Sequence, residues 1–171
     1  ETLAEGSPSG ILLQTLKREE PVPVPDLLEA ARLGEDAPEA FVYLLREGQA
    51  VLLGGEEAQA ALSKEQVTSK QQLVVSGEWW SRLAARVEDE LSGFHQSFPL
   101  RQGMPREALR SSLRMTPRVF DATMAQADVE GVVIDEGAVV RLPSHTVQFT
   151  AEQRQRVDEL LNRFREEPYA P

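Results

Sequence analysis

Prolines stand near the head of one helix after another in this chain, and that limits the folds open to it. Ser7-Pro8, Pro25, Asp36-Ala37-Pro38-Glu39, Pro105 and Thr116-Pro117 each place a proline where a helix is starting. Proline is tolerated only in the first helical turn, because it lacks an N–H and its ring clashes with the turn before. Gly34, Gly48 and Gly131 close three of these segments. Such punctuation makes short helices separated by turns.

Read in order, Ser7-Pro8 opens a first helix with Ile11, Leu12, Leu13 and Leu16 as its apolar stripe. Residues 21–25, Pro-Val-Pro-Val-Pro, end it in an extended segment suited to an edge strand. A second helix is expected from Asp26 to Leu33, with Gly34 as its stop. Asp36 and Glu39 have capping-box spacing before a third helix carrying Phe41, Leu44 and Leu45. Strands are expected at Ala50–Leu53 and Gln72–Val75, with a helical turn from Glu57 to Gln66 between them.

The plan then repeats. Ser76 caps a long helix to about Phe98, with Trp80, Leu83, Ala84, Val87, Leu91, Phe94 and Phe98 at steps of three and four. Pro99 and Gly103 break it, and Pro105 opens a helix to Leu113. Thr116-Pro117 opens another, with Val119, Phe120, Thr123, Met124 and Ala127 inward. Val132–Ile134 and Ala138–Leu142 make a hairpin around Asp135-Glu136-Gly137. Pro25 and Pro105, and Leu33 and Leu113, take like places. The expected fold is α+β, mainly α: tandem winged-helix domains over residues 1–75 and 76–146. Residues 147–171 form the first helix of a third repeat or a C-terminal tail packed on the second, with Val157, Leu160, Leu161 and Phe164 as its stripe.

Composition excludes several functions. The 171 residues contain no cysteine, so neither disulfides nor thiolate metal sites are open to them. No apolar run approaches the roughly 20 residues that span a bilayer, and no membrane partner is expected. Glu1 in first place suggests a piece of something longer. The net charge of −10 opposes phosphate binding over the whole surface. It is unevenly spread: residues 1–66 carry five basic and thirteen acidic side chains, residues 67–171 thirteen and fifteen.

No Gly-rich loop ending in Gly-Lys-Ser/Thr is present, and His95 and His145 stand too far apart in sequence for a metal-ligand pair. The piece is therefore expected to be no enzyme and to hold no metal or cofactor. His95 is expected to pack or to cap its helix, and His145 to sit in a turn. Arginines are the sharpest signal. Arg101, Arg106, Arg110, Arg114 and Arg118 lie between Phe98 and Phe120 with Glu107 as the one acid among them. Arg106, Arg110 and Arg114 fall at successive i, i+4 positions, a row able to grip RNA phosphates. The alternative is pairing with Glu107, Asp121 or acids of the first domain. Trp80 is core by its spacing, and Trp79 is expected to be covered by the neighbouring domain rather than to stack a base.

Phe94-His95, Pro99-Leu100, Gly103-Met104-Pro105, Glu107, Leu109-Arg110 and Leu113 resemble the tandem winged helices of the bacterial selenocysteine-specific translation elongation factor (SelB) family. Gly137, the run Val139-Val140-Arg141-Leu142-Pro143 and His145 support this, and Phe164 with Pro168-Tyr169 and Pro171 resembles the start of the next repeat. The resemblance extends from about Leu83 to Pro171 and is architectural before that. It implies a cytoplasmic, monomeric arm in selenocysteine insertion at UGA codons. The arm would link a GTPase part, with its GTP and Mg, to the end that binds an mRNA hairpin on the ribosome. Selenocysteyl-tRNA would be carried by N-terminal domains outside this chain. A DNA-binding regulator, opposed by Asp121 and Asp128 on the third helix, and a protein–protein scaffold are the competing readings.

Overall fold

The computed structural model describes residues 6–56, 72–147, 149 and 151–166. The expected turn at Glu57–Gln66 and the Pro168–Pro171 end lie outside them, as does Thr150, whose position before Ala151-Glu152-Gln153 reads as a helix cap. The described elements are α1 (Pro8–Glu19), β1 (Val22–Pro23), α2 (Val24–Ala31), α3 (Ala37–Arg46), β2 (Ala50–Leu53), β3 (Leu73–Ser76), α4 (Gly77–Ser97), β4 (Met104–Pro105), α5 (Arg106–Leu113), α6 (Pro117–Val129), β5 (Ile134–Asp135), β6 (Val139–Arg141) and α7 (Ala151–Glu166). The described residues are mainly helical with two small antiparallel sheets, ordered β1-β3-β2 and β4-β6-β5. Helix–strand–helix–helix–strand–strand thus occurs twice, the winged-helix plan.

Local chemistry accounts for most boundaries. The Ser7 hydroxyl accepts from the Gly10 N–H at 3.1 Å, and the Ser76 hydroxyl from the Trp79 N–H at 3.2 Å. Both satisfy donors that a helix start leaves open. The capping box at Asp36 does not form: Asp36 is helical and makes no side-chain cap. A 3-10 turn over Gly34–Asp36 runs straight into α3, leaving no extended residue to cap from. Helix α2 ends two residues earlier than expected, because Arg32 turns left-handed at φ 53°.

The repeat register also shifts. Pro23 and Pro105 occupy matching positions, each second in a two-residue edge strand and each preceding a helix. Arg32 and Arg114 are the matching left-handed ends, at φ 53° and 56°. The pairings Val22–Val74 and Met104–Val140 repeat the same edge contact. Pro25 and Leu33 are therefore not the partners of Pro105 and Leu113.

The second wing is shorter than its sequence suggests. The Val132 and Val133 N–H groups both donate to the Ala127 carbonyl, which holds them at the end of α6. Ala138 spends its carbonyl on the Arg106 N–H, and Leu142 donates its N–H to His95. What remains pairs Ile134 with Arg141 and Asp135 with Val140.

Two groups of buried apolar side chains fill the interior. One joins Leu12, Leu16, Leu27, Phe41 and Leu44 from α1–α3. The other joins Trp80, Leu83, Val87 and Leu91 of α4 with Leu109, Leu113, Phe120, Met124 and Val140. The β2–β3 ladder lies between them. Ala50, Leu52 and Val74 face the first group, while Leu53, Leu73 and Val75 face the second. A strand's side chains alternate between faces, so two adjacent strands can wall two cores at once. The first sheet has no water-facing side of the ordinary wing kind.

The α4 stripe runs Trp80, Leu83, Val87, Leu91, His95. Phe98, expected inward, is 46% exposed, and Phe94 is half-buried. On α7, Val157, Leu160, Leu161 and Phe164 are all exposed, so the described helix does not pack back on the second unit. No described helix is long and apolar enough to cross a membrane.

Candidate nucleic-acid interface

The five arginines do not form one row. Arg106 begins α5 and is drawn inward, its guanidinium bonded to Asp135 through Nη1 and to Asp121 Oδ1 at 2.7 Å through Nη2. It also lies 5.2 Å from the Phe120 ring centroid, and its side chain is only 23% exposed. It ties the start of α5 to the wing and to α6. Arg110 donates through Nε and Nη2 to Glu107 Oε2, at 3.1 and 2.6 Å, and through Nη1 to the Met115 carbonyl. That hydrogen bond holds the Glu107 carboxyl below its usual range and raises Arg110 further.

Arg114 leaves the helical row because the chain turns left-handed there. Its left-handed backbone points the chain towards Met115 and α6, and the N–H donates back to Ser111. Arg101 lies over the Phe98 ring at 5.0 Å, before β4. Arg118 is exposed in the first turn of α6. Arg106 and Arg110 therefore share α5, each with a carboxylate partner, while the other three stand on separate segments.

The histidines meet across the fold. The His95 and His145 rings stack at 3.6 Å, 8° from parallel. His95 Nε2 accepts the Leu142 N–H at 3.3 Å, so the neutral ring carries its proton on the buried Nδ1. His145 Nε2 lies 2.9 Å from the Arg101 carbonyl and must be the donor there. His145 thus fastens the end of the wing to the loop after α4.

Sequence reasoning missed a polar junction between the two units. Gln126, 4% exposed on α6, accepts the Gly55 N–H at 3.2 Å and donates to Glu130 Oε1 at 2.8 Å. The Trp80 indole N–H donates to the other Glu130 oxygen at 2.7 Å. The signal available was Gln126 at i−4 from Glu130, on the side of α6 next to Ala127. Lys17 on α1 adds a second tie, 2.8 Å from Glu78 on α4. Among the described residues no group of His, Cys, Asp and Glu could hold a metal ion.

Residues 89–142 match the family model described as Elongation factor SelB, winged helix. The second unit is a SelB-like winged helix. The match takes in the end of α4, the arginines from Arg101 to Arg118 and the hairpin to Leu142. No curated protein matches the chain. The SelB-like unit is thus built on Leu91, Leu109, Leu113, Phe120 and Val140, positions that specify a fold and perform no chemistry.

Proposed function

We propose that this chain is the spacer and RNA-adjacent arm of a translation elongation factor that inserts selenocysteine at UGA codons. The observation that carries the reading is the SelB winged-helix match over residues 89–142. The acidic first unit fits a spacer better than an RNA grip, with thirteen acidic against five basic side chains in residues 1–66. In this reading the chain itself catalyses nothing. GTP, Mg and selenocysteyl-tRNA belong to other domains of the parent protein, and an mRNA hairpin on the ribosome is the far partner.

RNA-phosphate contact by Arg101, Arg106, Arg110, Arg114 and Arg118 is part of the proposal. Arg106 and Arg110 would exchange carboxylate partners for phosphate, which makes their contribution small and strongly salt-dependent.

The test is a UGA reporter carrying the cognate hairpin, in cells whose own copy of the gene is disrupted. The intact gene should restore read-through, and the same gene lacking this segment should not. Equal read-through from both would remove the proposal. The 171-residue chain alone should give no saturable heat with micromolar GTP in calorimetry, since no phosphate-binding loop is present.

A further inference from the structure

A groove of ≈ 510 Å³ opens between α4, the α5–α6 turn and Pro21 of the first unit. Trp79, Met115 and Val119 line its apolar part, and Arg82, Arg86 and Arg114 its polar edge. Among the described residues no carboxylate lines it. Arg82 and Arg86 stand one turn apart on α4, both exposed. Arg86 is aimed by one bond, from Nη2 to the Ser112 carbonyl at 2.9 Å, which leaves its other N–H groups for a ligand. Two acids lie nearby: Glu20 is 4.0 Å from Arg82, but its side chain is 8% exposed and turned to the Ser76 N–H, and Glu78, one turn before Arg82, is bonded to Lys17 at 2.8 Å.

We infer that this groove binds single-stranded nucleic acid, with phosphates on the three arginines and a base over the Trp79–Met115 surface. The charge complementarity is local. Three arginines line one cavity of a chain whose net charge is −10, so a polyanion is drawn here and repelled over much of the rest. Arginine suits phosphate through its paired donors, and an indole beside it suits any base face. The volume lies within the range of small-ligand sites. Among the described residues no strand contributes to the lining, so none of the described sheet edges is open to a peptide there. The inference stands apart from selenocysteine insertion: it needs only the arginines, the indole and the placement of Pro21. It also changes the reading of Trp79, which is half-buried rather than covered.

The experiment titrates the 171-residue chain with a labelled oligouridylate, by anisotropy and by tryptophan emission, between about 50 and 200 mM salt. Binding should quench emission, and Trp79→Phe should remove most of the quench, leaving Trp80 as the remaining emitter. Arg82→Ala with Arg86→Ala should weaken binding about tenfold at low salt, and each lost contact should flatten the salt slope by about 0.7. Both side chains are exposed, so circular dichroism should show an unchanged fold. Arg106→Ala with Arg110→Ala reports separately on the α5 arginines, and Arg18→Ala with Arg46→Ala, exposed on the first unit and outside the groove, should leave this affinity intact. The inference fails if the oligonucleotide does not bind at low salt, or if duplex RNA binds equally well. It also fails if the α5 pair matters and the groove pair does not, or if an acidic amphipathic peptide binds where the oligonucleotide does not.

Discussion

His95 takes the inward place on α4 because Leu91 plus one turn falls on it, and its ring then stacks on His145 rather than facing solvent. Burial, with His145 and Arg141 adding to it, holds its pKa below the ordinary 6.5. The unfolded chain therefore binds more protons than the folded one as pH falls below about 6.5. Stability from this site is present above that value and is lost as pH drops towards the lowered folded pKa. Urea midpoints should fall between about pH 7 and 5.5, before most carboxylates titrate. His95→Gln should flatten that fall, since an amide oxygen can still accept the Leu142 N–H and cannot titrate. A wild-type midpoint that does not move over this range would exclude the mechanism. Gln126 gives a second residue-scale expectation. Gln126→Ala leaves the Gly55 N–H without its acceptor and should cost about 1–3 kcal/mol in denaturant unfolding. A loss well under that would mean the junction is not a structural tie.

Among the elements, β2 and β3 matter most, because each feeds alternate side chains to a different core. Just after β2 the chain passes close to α6. A Cβ on Gly55 would lie 2.7 Å from the Ala125 carbonyl oxygen, and the backbone there is left-handed at φ +62°. Gly55→Ala should therefore destabilise the chain by more than about 1 kcal/mol, measured by thermal unfolding. Gly48→Ala has a positive φ of 67° but nothing within 4 Å, so it tests strain without crowding and should cost less. The two sequence runs were legible as strands at Ala50–Leu53 and Gln72–Val75, the second forming one residue further on, at Leu73–Ser76. Their double burial was not, since an apolar run looks the same whether one core or two receives it. The helices were legible because proline and serine mark their starts locally. The repeat register was misread because prolines recur at 21, 23 and 25, and only pairing with β3 selects Pro23. The arginine row failed at Arg114 for a related reason: periodicity assumes a helix, and the chain leaves it one residue too soon.

At the scale of the whole molecule, division near Ser76 into winged helices 1–75 and 76–146 is our proposal, with the β2–β3 sheet as their common wall. Residues 1–76 made alone would bare Leu53, Leu73 and Val75, about 1.5–3 kcal/mol for each side chain returned to water. That piece should bind a dye for apolar surface and should melt well below the full chain. If it melts at the same temperature and stays dark, the sheet is not shared in solution. Two modules on a flexible thread would sweep a volume, and the thread's length would set how often their ligands meet. A common wall with ties at Gly55–Gln126 and Lys17–Glu78 removes that freedom. Whatever the two units hold would then keep one separation and one orientation. Their meeting would be a matter of reach, decided by the shape of the strut, and lengthening any outer linker would not substitute for it.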